Sequence, residues 1–184
     1  EFFEKLTLVN VSKNSYLSPA YLSRLFKEYF KINFSNYIRT RKIALAQKQL
    51  ISTDEPIDKI SKSIGFARAN YFNKVFKETT NLTPLQFRKR YNGAKKVYTI
   101  PRELEWNENL SVYAVSHHFF QKQGVILKEQ SINGYPCIMS IDGLSSLNNA
   151  NGWIYLIDGV QPQILPSETY VKDKSVIQWI YVNI

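Results

Sequence analysis

The stretch DEPIDKISKSIGFARANYFNKVFKETTNLTPLQFRK, Asp54–Lys89, carries the signals of three short helices. In the first, isoleucines recur at three- and four-residue steps, and Gly65 follows where a helix would end. These isoleucines are Ile57, Ile60 and Ile64. In the last, Thr83 is suited to the N-cap and Pro84 to the first helical position. We therefore predict a helix, a tight turn and a second helix, followed by a third.

The middle of this stretch is written twice in the chain. YFNKVFKE at Tyr71–Glu78 has a near copy, YLSRLFKE, at Tyr21–Glu28. An α-helix turns by about 100° per residue, which places the apolar residues of each copy on one face of the helix and the polar residues on the other. The predicted core stripe consists of Tyr21, Leu22, Leu25, Phe26 and Tyr29 in the first copy and of Phe72, Val75 and Phe76 in the second. Taken alone, either copy is best explained as an ordinary amphipathic helix with a solvated polar face.

The context of the two copies favours a paired arrangement. A shorter helical segment and a tight turn precede each copy, namely TLVNVSKNS at 7–15 and PIDKISKSIG at 56–65. This is the spacing of helix-turn-helix units. Between the two units, NFSNYIRTRKIALAQKQLIS at 33–52 has an approximate helical pattern and no Gly or Pro, with Asn33 placed to cap it.

The charge of the chain is uneven. Residues 1–96 contain 19 Lys and Arg against 7 Asp and Glu, whereas residues 97–184 contain 5 against 8. A strongly basic first half suggests a polyanionic partner, the alternative being a solvated basic surface. The outward letters of the repeats include Arg, Asn and Ser, which are the side chains that read base edges in DNA. Together these features favour nucleic acid as the partner.

Composition excludes several classes of protein. Hydrophobic residues make up 44% of the 184, with only 7 Gly and 7 Pro, which is typical of a globular chain. The single Cys137 permits no intrachain disulfide and no thiolate zinc cluster. No apolar run approaches the roughly 18 residues of a membrane span, and no signal peptide opens the chain. We expect a cytoplasmic protein without a membrane partner, and the missing initial Met suggests a fragment of a longer one.

Residues of about 5–92 resemble the DNA-binding domain of the AraC/XylS family of bacterial transcription regulators. The residues in register with the family signature are Ile60, Ile64, Gly65, Phe66, Tyr71, Phe72, Phe76, Lys77, Pro84, Phe87 and Arg88. The resemblance implies an all-α domain of seven helices, in which a long helix at about Phe34–Ile51 joins two helix-turn-helix units. It also implies double-stranded DNA as a partner, RNA polymerase as a candidate one, and a nucleoid-associated location. No nucleophile elbow, phosphate loop or metal-spacing motif is present, so we expect neither a cofactor nor an enzymatic activity.

The same resemblance assigns roles to individual residues. Base contacts would fall to Ala20, Ser23 and Arg24 in the first unit and to Ala69, Asn70, Asn73 and Lys74 in the second. Phosphate contacts, which position a protein without specifying sequence, would fall to Lys27, Arg41, Lys77 and Arg88. For each residue the alternative is an ordinary surface position. Arg24 is the strongest candidate, because Arg pairs with guanine through two hydrogen bonds.

The chain departs from the family pattern at several positions. Lys31 stands where the family has Gly after the first repeated helix, which implies a strained or differently ended helix. The matching place in the second unit holds Asn81, which tolerates a left-handed backbone better. Ala67 stands where a capping Ser or Thr is usual, and Ser61 replaces a small Ala. The family's opening helix is represented at most by EFFEK at 1–5.

The second half has a different periodicity. Short runs rich in β-branched and aromatic residues, YPCIMSI, WIYLI and VIQWIYV, alternate with turn signals. Among these signals, the Asp158-Gly159 pair predicts a hairpin. We place a linker at 93–96 and, over 97–184, a domain that resembles DUF4430 and the C-terminal β domain of transcobalamin and intrinsic factor. That resemblance implies a small β-grasp-like α+β fold, with a strand near Val97–Ile100 and a helix near Asn109–Lys122.

Several roles remain open for this second domain. It is a candidate for protein contact or dimerisation, or for sensing a small-molecule effector such as a corrinoid. A candidate binding face consists of Trp153, Tyr155, Trp179 and Tyr181, which the alternative places in the core. His117 and His118 diverge by about 100° on a helix and suit no shared metal ion. The competing hypothesis for the whole chain is a ligand-sensing or assembly protein whose basic half binds DNA non-specifically.

Overall fold

The computed structural model describes residues 6–145, 151–171 and 176–183. Six helices precede the first strand in this part of the chain: α1 Leu8–Asn14, α2 Pro19–Phe30, α3 Phe34–Ser52, α4 Ile57–Ser63, α5 Ala69–Thr80 and α6 Pro84–Tyr91. The long joining helix predicted from the sequence is therefore α3, and the two copies of the octapeptide lie in α2 and α5. The segment EFFEK, proposed as a remnant of a seventh helix, lies outside the described residues.

Side-chain caps fix where these helices begin. The Asn33 side chain accepts a hydrogen bond from the Asn36 amide at 2.7 Å, and the Thr83 hydroxyl accepts one from the Gln86 amide at 3.2 Å. Both predicted caps are thus confirmed. The expected weak cap of α5 is shifted by one residue, because Arg68 rather than Ala67 is its N-cap, and Arg68 makes no capping bond with its side chain.

Left-handed backbone ends the two repeated helices. Lys31, which follows α2, has φ +56°, and Asn81, which follows α5, has φ +59°. Both amides still donate to the carbonyl four residues earlier, which closes the last turn of each helix. The strain expected at Lys31 is confirmed, since a side chain with Cβ crowds the backbone in this conformation and Asn tolerates it better than Lys does.

We expect Lys31→Gly to stabilise the protein by about 0.5–1 kcal/mol, because glycine removes the left-handed strain but costs entropy in the unfolded chain. Asn81→Gly is the matched variant at the equivalent position and should gain less. Urea unfolding of both variants and the parent measures this. An equal gain at both positions, or a loss at Lys31, would contradict the assigned strain.

Two three-stranded antiparallel sheets and one helix make up residues 96–183 within the described part of the chain. The elements are β1 Lys96–Ile100, α7 Val112–Lys122, β2 Leu127–Ile132, β3 Tyr135–Ile141, β4 Leu144–Ser145, β5 Asn151–Ile157 and β6 Ile177–Asn183. The strand orders are β1-β6-β5 and β2-β3-β4. The predicted strands are confirmed, the predicted helix begins three residues late, and β2 was missed. The structure supports a small antiparallel-sheet region here.

The β1-β6-β5 sheet contributes to two hydrophobic cores. Side chains alternate along its strands, so that Leu156 and Ile180 face the helices while Tyr155 and Trp179 face the opposite side. The first core combines Leu156 and Ile180 with residues of α3 to α6. The second core lies between this sheet, α7 and β3. One sheet therefore serves as a wall of both the helical region (residues 6–92) and the C-terminal region (residues 97–184).

Three Asx-Gly pairs form tight turns in the C-terminal region. Asn133-Gly134 joins β2 to β3, and Asp142-Gly143 joins β3 to β4, in each case with positive φ at both positions. Asp158-Gly159 has the same backbone form but closes only the isolated Ile157–Val160 bridge. The hairpin expected at this pair is therefore wrong, because the chain leaves the sheet after the turn and returns as β6.

The four aromatic residues proposed as a binding face lie inside the molecule instead. Tyr155, Trp179 and Tyr181 are buried, and Trp153 is half-buried. Each polar group has an internal partner: Trp153 Nε1 donates to the Leu144 carbonyl and Trp179 Nε1 to Ser116 Oγ, while the two tyrosine hydroxyls donate to backbone carbonyls. Their positions along β5 and β6 place them in the core between the sheets.

No helix in the described residues is long and apolar enough to cross a bilayer.

Candidate nucleic-acid interface

Helix α5 separates a buried face from an exposed polar face. Phe72, Val75 and Phe76 are buried, as the sequence predicted. The polar face presents Asn70, Asn73, Lys74 and Lys77, all exposed, with Ala69 half-buried beside them. Lys74 Nζ lies 3.9 Å from a Glu78 carboxylate oxygen, an exposed pair on successive turns. Such pairs contribute little to stability, so the Lys74 ammonium can exchange this partner for another anion.

Helix α2 carries the corresponding face of the first unit. Ala20, Arg24 and Lys27 are exposed, and Ser23 is half-buried. The Arg24 guanidinium carbon lies 5.2 Å from the centroid of the Tyr21 ring, a cation–π contact between two exposed side chains of this helix. No residue of α2 is fully buried, in contrast to the four buried residues of α5. The first unit therefore packs more loosely than the second.

Three tyrosines of the repeated helices are exposed. Tyr21, Tyr29 and Tyr71 have 42%, 74% and 54% of their surface accessible. The prediction that Tyr21 and Tyr29 belong to the core is wrong, because tyrosine, with its polar hydroxyl, also lies favourably at the exposed rim of an apolar helix face. Tyr21 and Tyr71 occupy the same place in the two copies, near the start of α2 and α5. They are interface candidates that the repeat itself could have identified.

Two arginines expected to bind phosphate are engaged within the protein. Arg88 donates to the Leu50 carbonyl at 3.3 Å and to the Glu55 carbonyl at 2.6 Å, which ties α6 to the end of α3. Arg41 donates to the Arg102 carbonyl at 3.2 Å and approaches Glu103 at 3.4 Å. Each guanidinium thus already has acceptors in the fold, which favours an internal role, and the phosphate contacts of Arg41 and Arg88 stay a prediction. Lys27 and Lys77 remain exposed.

A cleft of about 760 Å³ lies between the two units and adds cations that the repeat did not point to. Its lining includes Arg39 and Lys42 of α3 and Lys62 of α4, beside the start of α5. Lys42 Nζ donates to the Gly65 carbonyl at 2.7 Å, which fixes the turn of the second unit. Arg68, the exposed N-cap of α5, stands at the neighbouring end of the helix. These residues extend the basic surface from one unit to the other.

The spacing of the two units follows from α3. Its 19 residues give a rod of about 28 Å.

A family model described as a helix-turn-helix domain matches residues 11–90, which span all six helices except the start of α1 and the end of α6. Residues 11–90 form an AraC-type helix-turn-helix domain. The resemblance expected from the signature residues is confirmed for this part of the chain.

Two regulators are similar to about half of this chain. The regulatory protein PocR of Salmonella typhimurium is 36% identical over 89 residues, which are 48% of this chain and 29% of PocR. The bifunctional transcriptional activator and DNA repair enzyme AdaA of Bacillus subtilis is 37% identical over 100 residues, which are 51% of this chain and 47% of AdaA. The chain thus spans less than half the length of either relative.

Solved structures match a similar share of the chain. The C-terminal domain of the two-component response regulator YesN from Fusobacterium nucleatum is 34% identical, covering 46% of this chain and 82% of that domain, with a TM-score of 0.45. The C-terminal domain of AraT, a response regulator from Geobacillus stearothermophilus, is 32% identical, covering 50% and 76%, with a TM-score of 0.44. In both cases the likeness extends over about half of this chain.

Proposed function

We propose that this protein is a sequence-specific regulator of transcription that binds double-stranded DNA through both units of its AraC-type domain. The observation that carries the proposal is the pair of repeated helices, α2 and α5, which each expose a polar face of base-reading residue types. The basic charge of residues 1–96 supports a polyanionic partner. By name, one relative is a regulatory protein and the other a transcriptional activator and DNA repair enzyme, which supports a regulatory role.

The geometry gives a physical reason for two units in one chain. Successive major grooves on one face of a duplex are about 34 Å apart. A rod of about 28 Å, with a recognition helix beside each end, suits that repeat. The chain would in this way replace a dimer of single units. Because α2 and α5 differ at their outward positions, Ser23 and Arg24 against Asn73 and Lys74, the two half-sites would differ in sequence.

Replacing Arg24 by alanine tests the base-reading assignment. We expect Arg24→Ala to weaken binding to a cognate duplex by about 1–3 kcal/mol and to relax the preference at one base position. The exposed Lys27, one turn away on the same helix, is the matched control. Lys27→Ala should weaken all sequences about equally, because a phosphate contact carries no sequence information. Selection of bound duplexes from a random library with each variant measures both effects.

The outcomes of this selection discriminate between the two hypotheses for the chain. An unchanged base preference with a uniform loss of affinity would reassign Arg24 to a phosphate contact. If the unaltered protein selects no preferred sequence at all, the AraC-type domain binds DNA non-specifically, and the ligand-sensing or assembly hypothesis replaces the proposal.

The C-terminal region offers a site for a small effector. A cavity of about 320 Å³ has an apolar wall that includes Trp106, Leu110 and Phe119. Glu103 also lines the cavity, and its Oε1 lies 3.4 Å from Arg41 Nη1 of α3. This ion pair links the cavity to the joining helix. Clefts of this size hold small organic ligands, and a corrinoid is several times larger. We therefore propose a compact apolar effector rather than a corrinoid.

The histidines of α7 belong to different surroundings. His118 lines this cavity, whereas His117 Nε2 lies 3.7 Å from a Glu129 carboxylate oxygen and its ring stacks on Tyr113. Their divergence argues against a shared metal ion.

The resemblance to DUF4430 and the transcobalamin β domain remains a proposal, as do contacts with RNA polymerase and with a second copy of the chain. We propose a non-enzymatic role for the chain.

A further inference from the structure

We propose that the C-terminal region sets the position of the second recognition helix through the turn at Gly159, an inference that rests on the proposed DNA-binding function. The turn touches the C-terminal end of α5. A Cβ atom added to Gly159 would lie 2.7 Å from the Thr80 Cβ and 3.2 Å from the Thr80 Cα and carbonyl oxygen. Thr80 is the last residue of α5 and is buried. The backbone of the turn therefore abuts the backbone of the helix end.

Neither side of this contact can recede easily. The Asp158 amide donates to the Val176 carbonyl at 2.9 Å, and the Val176 amide donates to Asp158 Oδ1 at 2.7 Å. Ile157 and Val160 exchange two further backbone hydrogen bonds across the turn. On the helix side, Thr80 Oγ1 lies 2.9 Å from the Phe76 carbonyl oxygen and 3.0 Å from that of Leu82. Both partners are thus held by several hydrogen bonds within their own elements.

The sheet supports the same helix along its buried face. Leu156 and Ile180 are fully buried in one cluster with Phe72, Val75 and Phe76 of α5. Helix α2 has no equivalent support, since none of its residues is fully buried and none belongs to that cluster. Within the described residues, the C-terminal region therefore supports the recognition helix of the second unit directly, whereas its contact on the side of the first unit is to the joining helix α3, as in the Arg41–Arg102 hydrogen bond. A shift of the turn or the sheet would move the outward face of α5 relative to α2.

Such a shift matters because base recognition has strict geometry. Hydrogen bonds from side chains to base edges weaken steeply outside about 2.7–3.2 Å. A displacement of α5 by a few tenths of an ångström or more would therefore lower the affinity for the second half-site. Gly159 and the Asp158–Val160 turn are in this sense positioning residues, acting on DNA through α5.

The chain provides a matched control for the test. Gly143 occupies the same place in an Asp-Gly turn with the same φ of +77°, but an added Cβ there meets nothing within 4 Å. Gly159→Ala and Gly143→Ala thus carry the same backbone strain and differ in the contact with α5. The probe is a duplex selected by the unaltered protein, with hydroxyl-radical protection measured at each half-site.

We expect Gly159→Ala to lose protection at the second half-site, with affinity lower by about tenfold or more, the worth of one good base contact. Protection at the first half-site should remain, which also reports that the variant is folded. Gly143→Ala should keep both half-sites and lie within about twofold of the parent. Equal behaviour of the two variants, or equal loss at both half-sites in folded Gly159→Ala, would overturn the inference.

Two further outcomes are distinguishable. If the unaltered protein protects no pair of half-sites, the proposed function fails, independently of Gly159. If Gly159→Ala does not fold, Ile180→Val takes its place, because it removes one methylene from the sheet behind α5 and such changes are well tolerated. A loss confined to the second half-site would support the inference, and a loss shared by both or absent from both would overturn it.

Discussion

Binding of the protein to its DNA site should weaken by about 10³-fold when salt is raised from roughly 50 to 200 mM. A domain of this size that contacts roughly six phosphates releases a matching number of counterions, which gives a log–log slope near −5. The excess of 19 Lys and Arg over 7 Asp and Glu in residues 1–96 supplies the charge for such contacts. Fluorescence anisotropy of a labelled duplex over a salt series measures the slope.

Paired lysine variants control this experiment. Lys27 and Lys77 occupy the same place in the two repeats and are both exposed. Replacing both by alanine should make the slope shallower by about two units, because each lysine would otherwise neutralise one phosphate. Replacing Lys48, an exposed lysine of α3 that lies outside both repeats, should change it less. A response to salt that is flat in the unaltered protein would exclude the DNA-binding proposal.

Leu156→Ala should lower the free energy of unfolding of the whole protein by about 2–5 kcal/mol, the usual cost of truncating a buried leucine. Leu156 belongs to β5, yet it packs in the core of the helical region with residues such as Phe76 and Phe87. Its truncation should therefore weaken α5 and the sheet together. The three tryptophans, Trp106, Trp153 and Trp179, all lie in the C-terminal region, so their fluorescence reports on that part alone.

Two probes of one urea titration decide this prediction. Far-ultraviolet circular dichroism follows mainly the six helices before β1, and tryptophan fluorescence follows the C-terminal region. We expect both transitions to shift together in Leu156→Ala and neither to shift much in Ile164→Ala, an exposed residue of the same region. If only the fluorescence transition moves, the two regions unfold independently and the shared core has little energetic weight.

The sequence predicted the helical region well because local signals and tertiary packing agree there. The local signals indicate the helices that the structure contains. These signals are the N-caps at Asn33 and Thr83, Gly65 after the end of α4, and the apolar spacing of α5. The repeat also identified which face of α5 is buried. It could not distinguish the tyrosines at the rim of that face from core residues. Hydrophobic periodicity indicates which face of a helix is apolar, but not how far the neighbouring helix covers that face.

Contacts between the two halves could not be read from local patterns. Side chains on both faces of β5 and β6 are apolar, which indicates a sheet that is covered on two sides. The sequence of the two strands does not indicate which elements cover it. Arg41 and Arg88 show the same limit for single residues. Their backbone acceptors, at Arg102 for the first and at Leu50 and Glu55 for the second, are brought near only by folding. The strand β2 is exposed along most of its length and lacks the apolar signal of a strand.

The unequal burial of α2 and α5 gives the two units different local dynamics. Amide protons exchange most slowly where opening exposes a packed core, so those of α5 should exchange slowly and those of α2 quickly. On a duplex, the rigid unit would then dock with its shape already set, while the looser unit adjusts to the groove it meets. Variation in the spacing or sequence of natural sites would accordingly be tolerated at the α2 end and rejected at the α5 end.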